Sequence, residues 1–333
     1  MDVINYKNVF LRSEIFEVKK YTIQPYSVSD FEIWNAFIVE AKNATFLFDR
    51  RFMSYHADRF IDCSLLVFDD KKLVAVLPGN KDDSKFFSHQ GLTYGGIVWH
   101  KIIKLNNAIA IFEQIILYLS LHNLTKIQFK MTPTFYHECH SQELEYLLFL
   151  KNASLIRRDT LAVIEMSKKE VFSKIRNRGI KKGFDNHLVI KEENDFTAFW
   201  NSILIPNLSS KYDTKPVHTL AEIQHLKQIF PNNIRQFNVY FEQKLVAGTT
   251  IFETKTTAHS QYIAGNELKD ELGSLDFLFA HLIQNVFANK RYFDFGISNE
   301  NNGKILNEGL SYWKESFGAK IWVHDFYELS IQN

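Results

Sequence analysis

A basic segment is the first place where this sequence could do chemistry. Residues 167–184 hold seven Lys or Arg residues against one Glu, and on a helix Lys174, Arg178 and Lys181 fall in one stripe. Arg can bind a phosphate through two hydrogen bonds, and Lys binds it as a point charge. The stripe therefore predicts a site for phosphate or pyrophosphate groups, although a solvated helix face explains the same pattern equally well.

A second candidate lies where a strand ending at Gly265 leads into a helix that begins at Ser274. Free backbone N–H groups and the positive end of such a helix favour a bound pyrophosphate, and Gly273 would permit its close approach. We therefore predict that Gly273 and Ser274 contact a cofactor. Ordinary helix capping by Gly-Ser is the alternative.

His218 is the candidate base. Thr219 and Glu222 form a capping box for a helix over residues 220–230, so His218 precedes the positive end of that helix, which disfavours the charged imidazole. A neutral imidazole in a cleft could accept a proton from an amine. A lone histidine is more often structural, and that alternative stays open.

The residue types of a metal site occur at His137-Glu-Cys-His140. This spacing without a third, distant ligand is thin support for zinc, so we predict a surface position for the motif and no bound metal. The two cysteines, Cys63 and Cys139, lie far apart and form no C-x-x-C motif. They indicate neither a disulfide framework nor a thiolate metal site, which favours the cell interior.

The segment 290–327 is expected to form one edge of a pocket. Its buried strand ends at Gly296, where the absence of a side chain lets the backbone approach a ligand. The polar loop that follows is where a substrate could be recognised. The predicted elements are a strand over 292–295, a polar loop over 298–302 and a helix over 308–317.

Charge and composition exclude several classes of protein. The 333 residues carry a formal net charge of +1, which argues against a protein that coats nucleic acid. The first twenty residues carry charges every few positions, and no segment approaches about 18 uninterrupted apolar residues, so neither a signal peptide nor a membrane span is predicted. We expect a cytoplasmic monomer or dimer that binds small molecules and no DNA.

The length predicts two domains, and a similarity between two segments of the sequence indicates an internal duplication. Hairpins over 64–77 and 237–252 share a Leu-Val-Ala strand start, and each precedes an apolar helix and then a strand. Two mixed sheets that use the same residue types in their hairpins, without a duplication, would show the same similarity. We predict an α+β fold with domains over 1–160 and 161–333, packed together around a cleft that forms the default pocket.

The chain resembles the Fem-type branch of the GNAT acyltransferases, which carry two GNAT folds in one chain. The resemblance covers nearly the whole chain and is best after Ser167. It rests on the basic helix over 168–184, Lys215-Pro-Val-His218, Leu245-Val-Ala-Gly248, Phe293-Asp294-Phe295-Gly296 and the terminal segment 309–318.

The resemblance implies acyl transfer onto an amine, without a metal, in a cleft between two mixed, mostly antiparallel sheets flanked by helices. His218 or Asp294 would remove the amine proton. Tyr262 would protonate the leaving thiolate, and Lys314, which matches the lysine of the Fem-type Trp-Lys pair, would stabilise the oxyanion. The residues expected to bind coenzyme A are Gln261, Ile263, Ala264, Gly273, Ser274 and Asn299. The residues expected to bind substrate are Lys174, Arg178, Lys181, Tyr94, Gly95 and Gly96.

Three functions follow from the resemblance. We expect acyl transfer from acyl-CoA to a nucleotide-linked amino sugar, a dTDP-3-amino-3,6-dideoxyhexose or similar, for surface polysaccharide synthesis. The second is aminoacyl-tRNA-dependent transfer of the peptidoglycan-bridge type, although the chain lacks the coiled-coil arm of those enzymes. The third is a non-catalytic protein that binds sugar nucleotides, because the pyrophosphate loop of simple GNAT enzymes is degenerate around Gly273.

Overall fold

The computed structural model describes residues 20–168 and 171–331. The α-helices are α1 (Phe31–Glu40), α2 (Arg50–Met53), α3 (Leu105–Leu121), α4 (Glu143–Leu150), α5 (Lys174–Asp185), α6 (Thr197–Phe199), α7 (Ile205–Tyr212), α8 (Leu220–Ile229), α9 (Lys269–Leu272), α10 (Ser274–His281) and α11 (Glu308–Glu315). The β-strands are β1 (Thr22–Pro25), β2 (Ile61–Asp62), β3 (Leu65–Asp69), β4 (Lys72–Leu77), β5 (Asn80–Asp82), β6 (Lys85–Phe87), β7 (Val98–Trp99), β8 (Lys126–Lys130), β9 (Ser154–Glu165), β10 (Val189–Glu193), β11 (Ile234–Phe241), β12 (Lys244–Glu253), β13 (Thr257–Gly265), β14 (Tyr292–Ile297), β15 (Asn299–Glu300), β16 (Ile305–Leu306) and β17 (Lys320–Ser330). The predicted α+β fold class is confirmed.

Within the described residues, one sheet has the strand order β10-β11-β12-β13-β14-β9-β17-β8-β6-β5-β2, and a smaller sheet has the order β1-β3-β4-β7. The last strand, β17, is antiparallel to β9 on one side and to β8 on the other. A strand from the end of the chain therefore joins the first and second halves into one continuous sheet. The predicted boundary at residue 160 falls inside β9, and the two domain ranges stay predictions.

The similarity between the two hairpins extends to their geometry. Leu73 pairs with Phe68 and Leu245 pairs with Tyr240, so four residues separate the partners in each hairpin. Each hairpin also has a register shift directly before that pair. Phe68 is thus structurally equivalent to Tyr240. A direct alignment of the two sequences instead matches Phe68 with the residue after Tyr240.

The glycine-rich sequence over 86–98 predicts an interrupted strand, but most of this stretch is a loop between β6 and β7. A Cβ at Gly95 would lie 1.4 Å from the carbonyl oxygen of Ser88, and the Gly95 N–H donates to the Lys130 carbonyl at 2.6 Å. Gly96 has a φ of +102°, which favours glycine. Backbone packing against neighbouring chain segments therefore accounts for these glycines.

Local signals place the helices that border the cleft. Ser173 caps α5 by accepting a hydrogen bond from the Arg176 N–H, so the basic helix begins later than predicted, and residues 169–170 of the predicted range lie outside the described residues. The Thr219–Glu222 capping box is present at the start of α8, as predicted. The helix predicted to begin at Ser274 is α10, which begins at that residue and is continued by a π-helical turn over Leu282–Val286.

One of the apolar cores includes side chains from both halves of the chain. Trp34 and Phe48 from the first half are buried in the same cluster as Trp200 and Phe252 from the second. Leu161, on the strand that contains the predicted boundary, belongs to it too. The halves are packed against each other rather than loosely tethered.

Candidate active site

The parallel strands β13 and β14 separate after a short paired stretch. Thr257 to His259 pair with Tyr292 to Asp294, after which β14 turns at Gly296, whose φ is +74°. The rest of β13 continues to Gly265 with its edge facing a cavity of about 1450 Å³. An unpaired strand edge offers backbone N–H and C=O groups to a ligand.

The side chains of Asp294 and His259 meet where these strands separate. Asp294 is fully buried, and its Oδ2 lies 2.8 Å from His259 Nδ1 and accepts from the Tyr136 hydroxyl at 2.7 Å. The Gly296 N–H donates to Oδ1 at 2.7 Å. His259 is 12% exposed and lines the cavity. Because Nδ1 is held by Asp294, the opposite ring nitrogen, Nε2, is the atom available for a substrate.

The electrostatics of Asp294 favour a carboxylate. Burial by itself would raise the pKa of Asp294, but His259 and the hydrogen bonds from His259, Tyr136 and the Gly296 N–H together lower that pKa below its ordinary value. A charged carboxylate at this position orients the imidazole. Tyr136 belongs to the first half of the chain, so both halves build this site.

Lys314 supports the turn after Asp294. Its side chain is 2% exposed, and Nζ donates to the carbonyl oxygens of Gly296 at 3.0 Å and Ile297 at 2.5 Å. Burial lowers the pKa of Lys314 to about 8, and the charge of Asp294 opposes that shift. Lys314 thus lines the cavity, but its ammonium group already donates two hydrogen bonds to backbone carbonyl groups.

His218 and Tyr262 form a pair in the wall of the same cavity. The Tyr262 hydroxyl lies 2.7 Å from His218 Nδ1 and accepts from the His218 backbone N–H at 3.1 Å. Burial lowers the pKa of His218 to about 3 and raises the pKa of Tyr262. The imidazole is therefore neutral at pH 7, and its Nδ1 is already occupied by the phenol group.

The predicted cofactor-binding residues divide between the strand edge and a helix contact. Gln261, Ile263 and Ala264 line the cavity on the free part of β13. Gly273 lines it too, but a Cβ there would lie 2.1 Å from the Gly179 carbonyl of α5, so the close approach that it permits is to a helix. Ser274 is fully buried and is not among the described residues that line the cavity.

Asn299 lines the cavity from the loop after β14. Its Oδ1 accepts from the backbone N–H of Thr160 at 2.6 Å and from the Thr160 hydroxyl at 2.7 Å. These bonds tie the loop to β9, so the amide oxygen predicted to contact the cofactor is held by the protein itself.

Of the three cations in the predicted basic stripe, Arg178 lines the cavity. Lys174 and Lys181 are not among the described residues that line it. Lys181 is ion-paired with Asp185 on the helix surface. Lys182, which the stripe did not include, lines the cavity and donates to the Asp270 carbonyl at 2.9 Å. The α5 end of the cavity is therefore cationic through a different set of side chains.

Of the residues predicted from the first half, Tyr94 lines the cavity, and its hydroxyl donates to Thr45 Oγ1 at 2.9 Å. Gly95 and Gly96 lie outside the described part of the cavity wall, because they pack against neighbouring backbone and side chains instead. These two glycines, which were predicted to bind substrate, therefore do not line the cleft.

His259 and Tyr136 were not identified from the sequence. His259 lies in a strand whose residues alternate between buried and partly buried, so its position in the sequence is ordinary. Its partner Asp294 is brought to it by the parallel pairing of β13 and β14. A search for pairs of titratable residues on the strands before and after the predicted helix could have found it.

The prediction of a surface position for the His137–His140 motif was wrong for His137. That side chain is 6% exposed, and burial lowers its pKa to about 4. Among residues 20–168 and 171–331, no group of three or more His, Cys, Asp or Glu side chains is placed to hold a metal ion. In the same part of the chain, none of the helices has the length and apolar character needed to cross a bilayer.

Solved structures show the same fold. FemX is 8% identical and aligns with a TM-score of 0.64 over 92% of this chain and 96% of its own. L-PGS from Bacillus licheniformis is 8% identical, with a TM-score of 0.56 over 93% of this chain and 94% of its own. A tandem GNAT protein from the clavulanic acid biosynthesis pathway is 9% identical, with a TM-score of 0.51 over 94% and 99%. No protein-family model and no curated protein sequence matches the chain. The predicted tandem GNAT-like fold is confirmed.

Proposed function

We propose that this protein transfers an acyl group from acyl-CoA to the amine of a nucleotide-linked amino sugar, a dTDP-3-amino-3,6-dideoxyhexose or similar. The observation that carries the proposal is the His259–Asp294 pair at the point where β13 and β14 separate. A base held by a buried carboxylate beside an unpaired strand edge is suited to acyl transfer onto an amine.

In the proposed reaction, Nε2 of His259 takes a proton from the acceptor amine as the amine nitrogen attacks the thioester carbonyl. The C–S bond of the tetrahedral intermediate then breaks, and the imidazolium returns the proton to the departing thiolate. The products are the amide and the free thiol of coenzyme A. Asp294 keeps Nδ1 protonated, so the lone pair of the neutral ring is on Nε2.

Backbone N–H groups along the free edge of β13 are proposed to stabilise the oxyanion. Lys314 is a positioning residue in this scheme, because its ammonium group already donates to the Gly296 and Ile297 carbonyls. His218 and Tyr262 form the cavity wall, since each is the other's hydrogen-bond partner. These assignments replace His218 by His259 as the proposed base.

The α5 end of the cavity is the proposed site for the phosphates of coenzyme A. Arg178 and Lys182 line this end together with two ion pairs, Lys269–Asp270 and Arg176–Asp276. The tandem GNAT protein from the clavulanic acid pathway, whose structure was determined without AcCoA, supports an acyl-CoA donor for this fold.

We expect Arg178→Ala and Lys182→Ala each to raise the KM for acetyl-CoA by about tenfold, with little change in kcat, because each removes a charge-assisted contact far from the reacting atoms. Steady-state kinetics of thiol release would measure this. Lys181→Ala is the matched control on the same helix, because Lys181 is paired with Asp185 outside the cavity lining. An equal rise in KM for the control would place the donor elsewhere.

The function itself is tested by following release of the coenzyme A thiol from acetyl-CoA with a panel of dTDP-linked amino sugars. We expect one thiol for each amide formed. Absence of thiol release with every acceptor, from a protein that binds dTDP sugars, would overturn the proposal in favour of a binding protein.

A second function has support from the similarity to FemX and to L-PGS. The Fem-type resemblance implies an aminoacyl-tRNA donor, in which the bond broken would be an ester rather than a thioester. Binding of tRNA that weakens steeply with salt would favour it. The same base and strand edge would serve either donor.

A further inference from the structure

A second polar group of side chains lies in the same cavity, where the strands of the two halves meet. It consists of Lys130 on β8, Arg157 and Asp159 on β9, and His324 on β17, and all four residues line the cavity. We call these four residues the junction cluster. None of them takes part in the proton transfer or in the donor contacts proposed above.

The sheet register places the junction cluster on the face that carries Asp294. Asp294 pairs with Val163, and alternate residues of β9 from Val163 to Arg157 project from the same face. Asp159 pairs with His324, and Phe326 pairs with both Arg157 and Lys130. Asp159 lies four residues before Val163 on β9 and Arg157 lies six residues before it, which are distances of about 13 and 20 Å at roughly 3.3 Å per residue.

The charges of the junction cluster leave a net positive site. Arg157 donates from Nε and Nη2 to both oxygens of Asp159, at 2.7 to 3.1 Å, and Asp159 is 1% exposed. This pairing fixes the guanidinium while its Nη1 edge reaches Asn302 Oδ1 at 3.2 Å. Lys130, half-buried beside it, donates from Nζ to the Leu92 carbonyl at 2.6 Å and adds a second cation near the single carboxylate of Asp159.

His324 adds an unused polar atom to the site. Its side chain is 5% exposed, and Nε2 has no hydrogen-bond partner among the described residues. A buried polar atom without a partner costs stability unless a ligand or solvent satisfies it. Burial lowers the pKa of His324 to about 4, and the charge of Lys130 acts in the same direction. A bound anion would oppose both effects.

We propose that Lys130, Arg157 and His324 bind the phosphate groups of the acceptor, with Cα positions roughly 13 to 20 Å along the sheet from the level of Asp294. This inference rests on the proposed function and adds the position of the acceptor. The amine lies at His259, the diphosphate lies at the junction cluster, and the donor phosphates lie at the α5 end. Two separate cationic sites in one cavity match two phosphate-bearing substrates.

The test is equilibrium binding of dTDP and of coenzyme A, measured by calorimetry without turnover. We expect Arg157→Gln and Lys130→Met each to weaken dTDP binding by about tenfold or more and to leave coenzyme A binding unchanged. Lys182→Ala is expected to do the reverse. The matched control is Arg158→Gln, since the adjacent Arg158 pairs with Asp325 outside the described cavity lining.

Arg157→Gln leaves Asp159 as an unpaired buried carboxylate, so the double variant R157Q/D159N serves if the single variant does not fold. An unchanged affinity for dTDP in the double variant, an equal loss in Arg158→Gln, or no dTDP binding by the unmodified protein would overturn the inference. If dTDP binds in an Arg157-dependent way but no acceptor gives thiol release, the proposed function fails and the phosphate site stands. If thiol release occurs and does not depend on Arg157, only the phosphate site fails.

Discussion

Replacing His259 with alanine is expected to lower kcat for thiol release by about 100- to 10,000-fold, the usual contribution of a positioned general base. The KM values for both substrates should change little, because in the proposed mechanism His259 contacts the reacting amine and not the phosphates. Initial rates at saturating acetyl-CoA and acceptor would measure the effect.

His225→Ala is the control for this variant, since His225 is exposed on α8 outside the described cavity lining. His218→Ala is the informative comparison, because the sequence predicts His218 as a base, whereas its imidazole contacts Tyr262. A large loss of kcat in His218→Ala with full activity in His259→Ala would contradict the mechanism.

Asp294→Asn is expected to lower kcat by about 100-fold or more while the protein remains folded. An asparagine amide that donates to Nδ1 would leave the proton on Nε2, where it blocks proton abstraction. The readout is the pH profile of kcat as well as its value, since a merely structural defect would lower the rate at all pH values alike. Asp325→Asn, which removes a carboxylate paired with Arg158, is the control.

Asp294 also makes stability depend on pH. Its folded-state pKa lies below the ordinary value of 3.8, so the carboxylate contributes stability that is present above the unfolded pKa and is lost as the pH falls through the folded pKa. We expect Asp294→Asn to cost about 3 kcal/mol of unfolding free energy at pH 7. Denaturant unfolding should show the difference from the unmodified protein shrinking below pH 4, and a constant difference would contradict this account.

The elements with local signals could be predicted from the sequence. The apolar sequence over 105–121 predicts a helix with the same bounds as α3, and the Thr219–Glu222 capping box predicts the start of α8. These features depend on neighbours within one or two turns of the chain. The segment around Gly95 depends on a distant carbonyl of Ser88, so its sequence resembled a broken strand although it forms a loop.

The candidate site was predictable only in part, because it depends on pairing between distant strands. Asp294 was named as a candidate base through the resemblance of Phe293-Asp294-Phe295-Gly296 to the Fem-type enzymes, but the role of that glycine came from the structure. The φ of +74° at Gly296 brings its N–H to Asp294, and a Cβ would lie 3.3 Å from His259 Cε1. The partner histidine is 35 residues earlier in the sequence, and nothing local marks it.

The position of β17 between β8 and β9 determines when the cleft can form during synthesis. Strand β8 ends at Lys130, well before the middle of the 333 residues, yet one of its two neighbours in the sheet spans Lys320–Ser330. Until β17 leaves the ribosome, β8 and β9 each have one unpaired edge, and the cavity lacks His324 and Phe326. Contacts of such long sequence separation form slowly, so the cleft can form only after β17 has been made and not from the first half of the sequence alone.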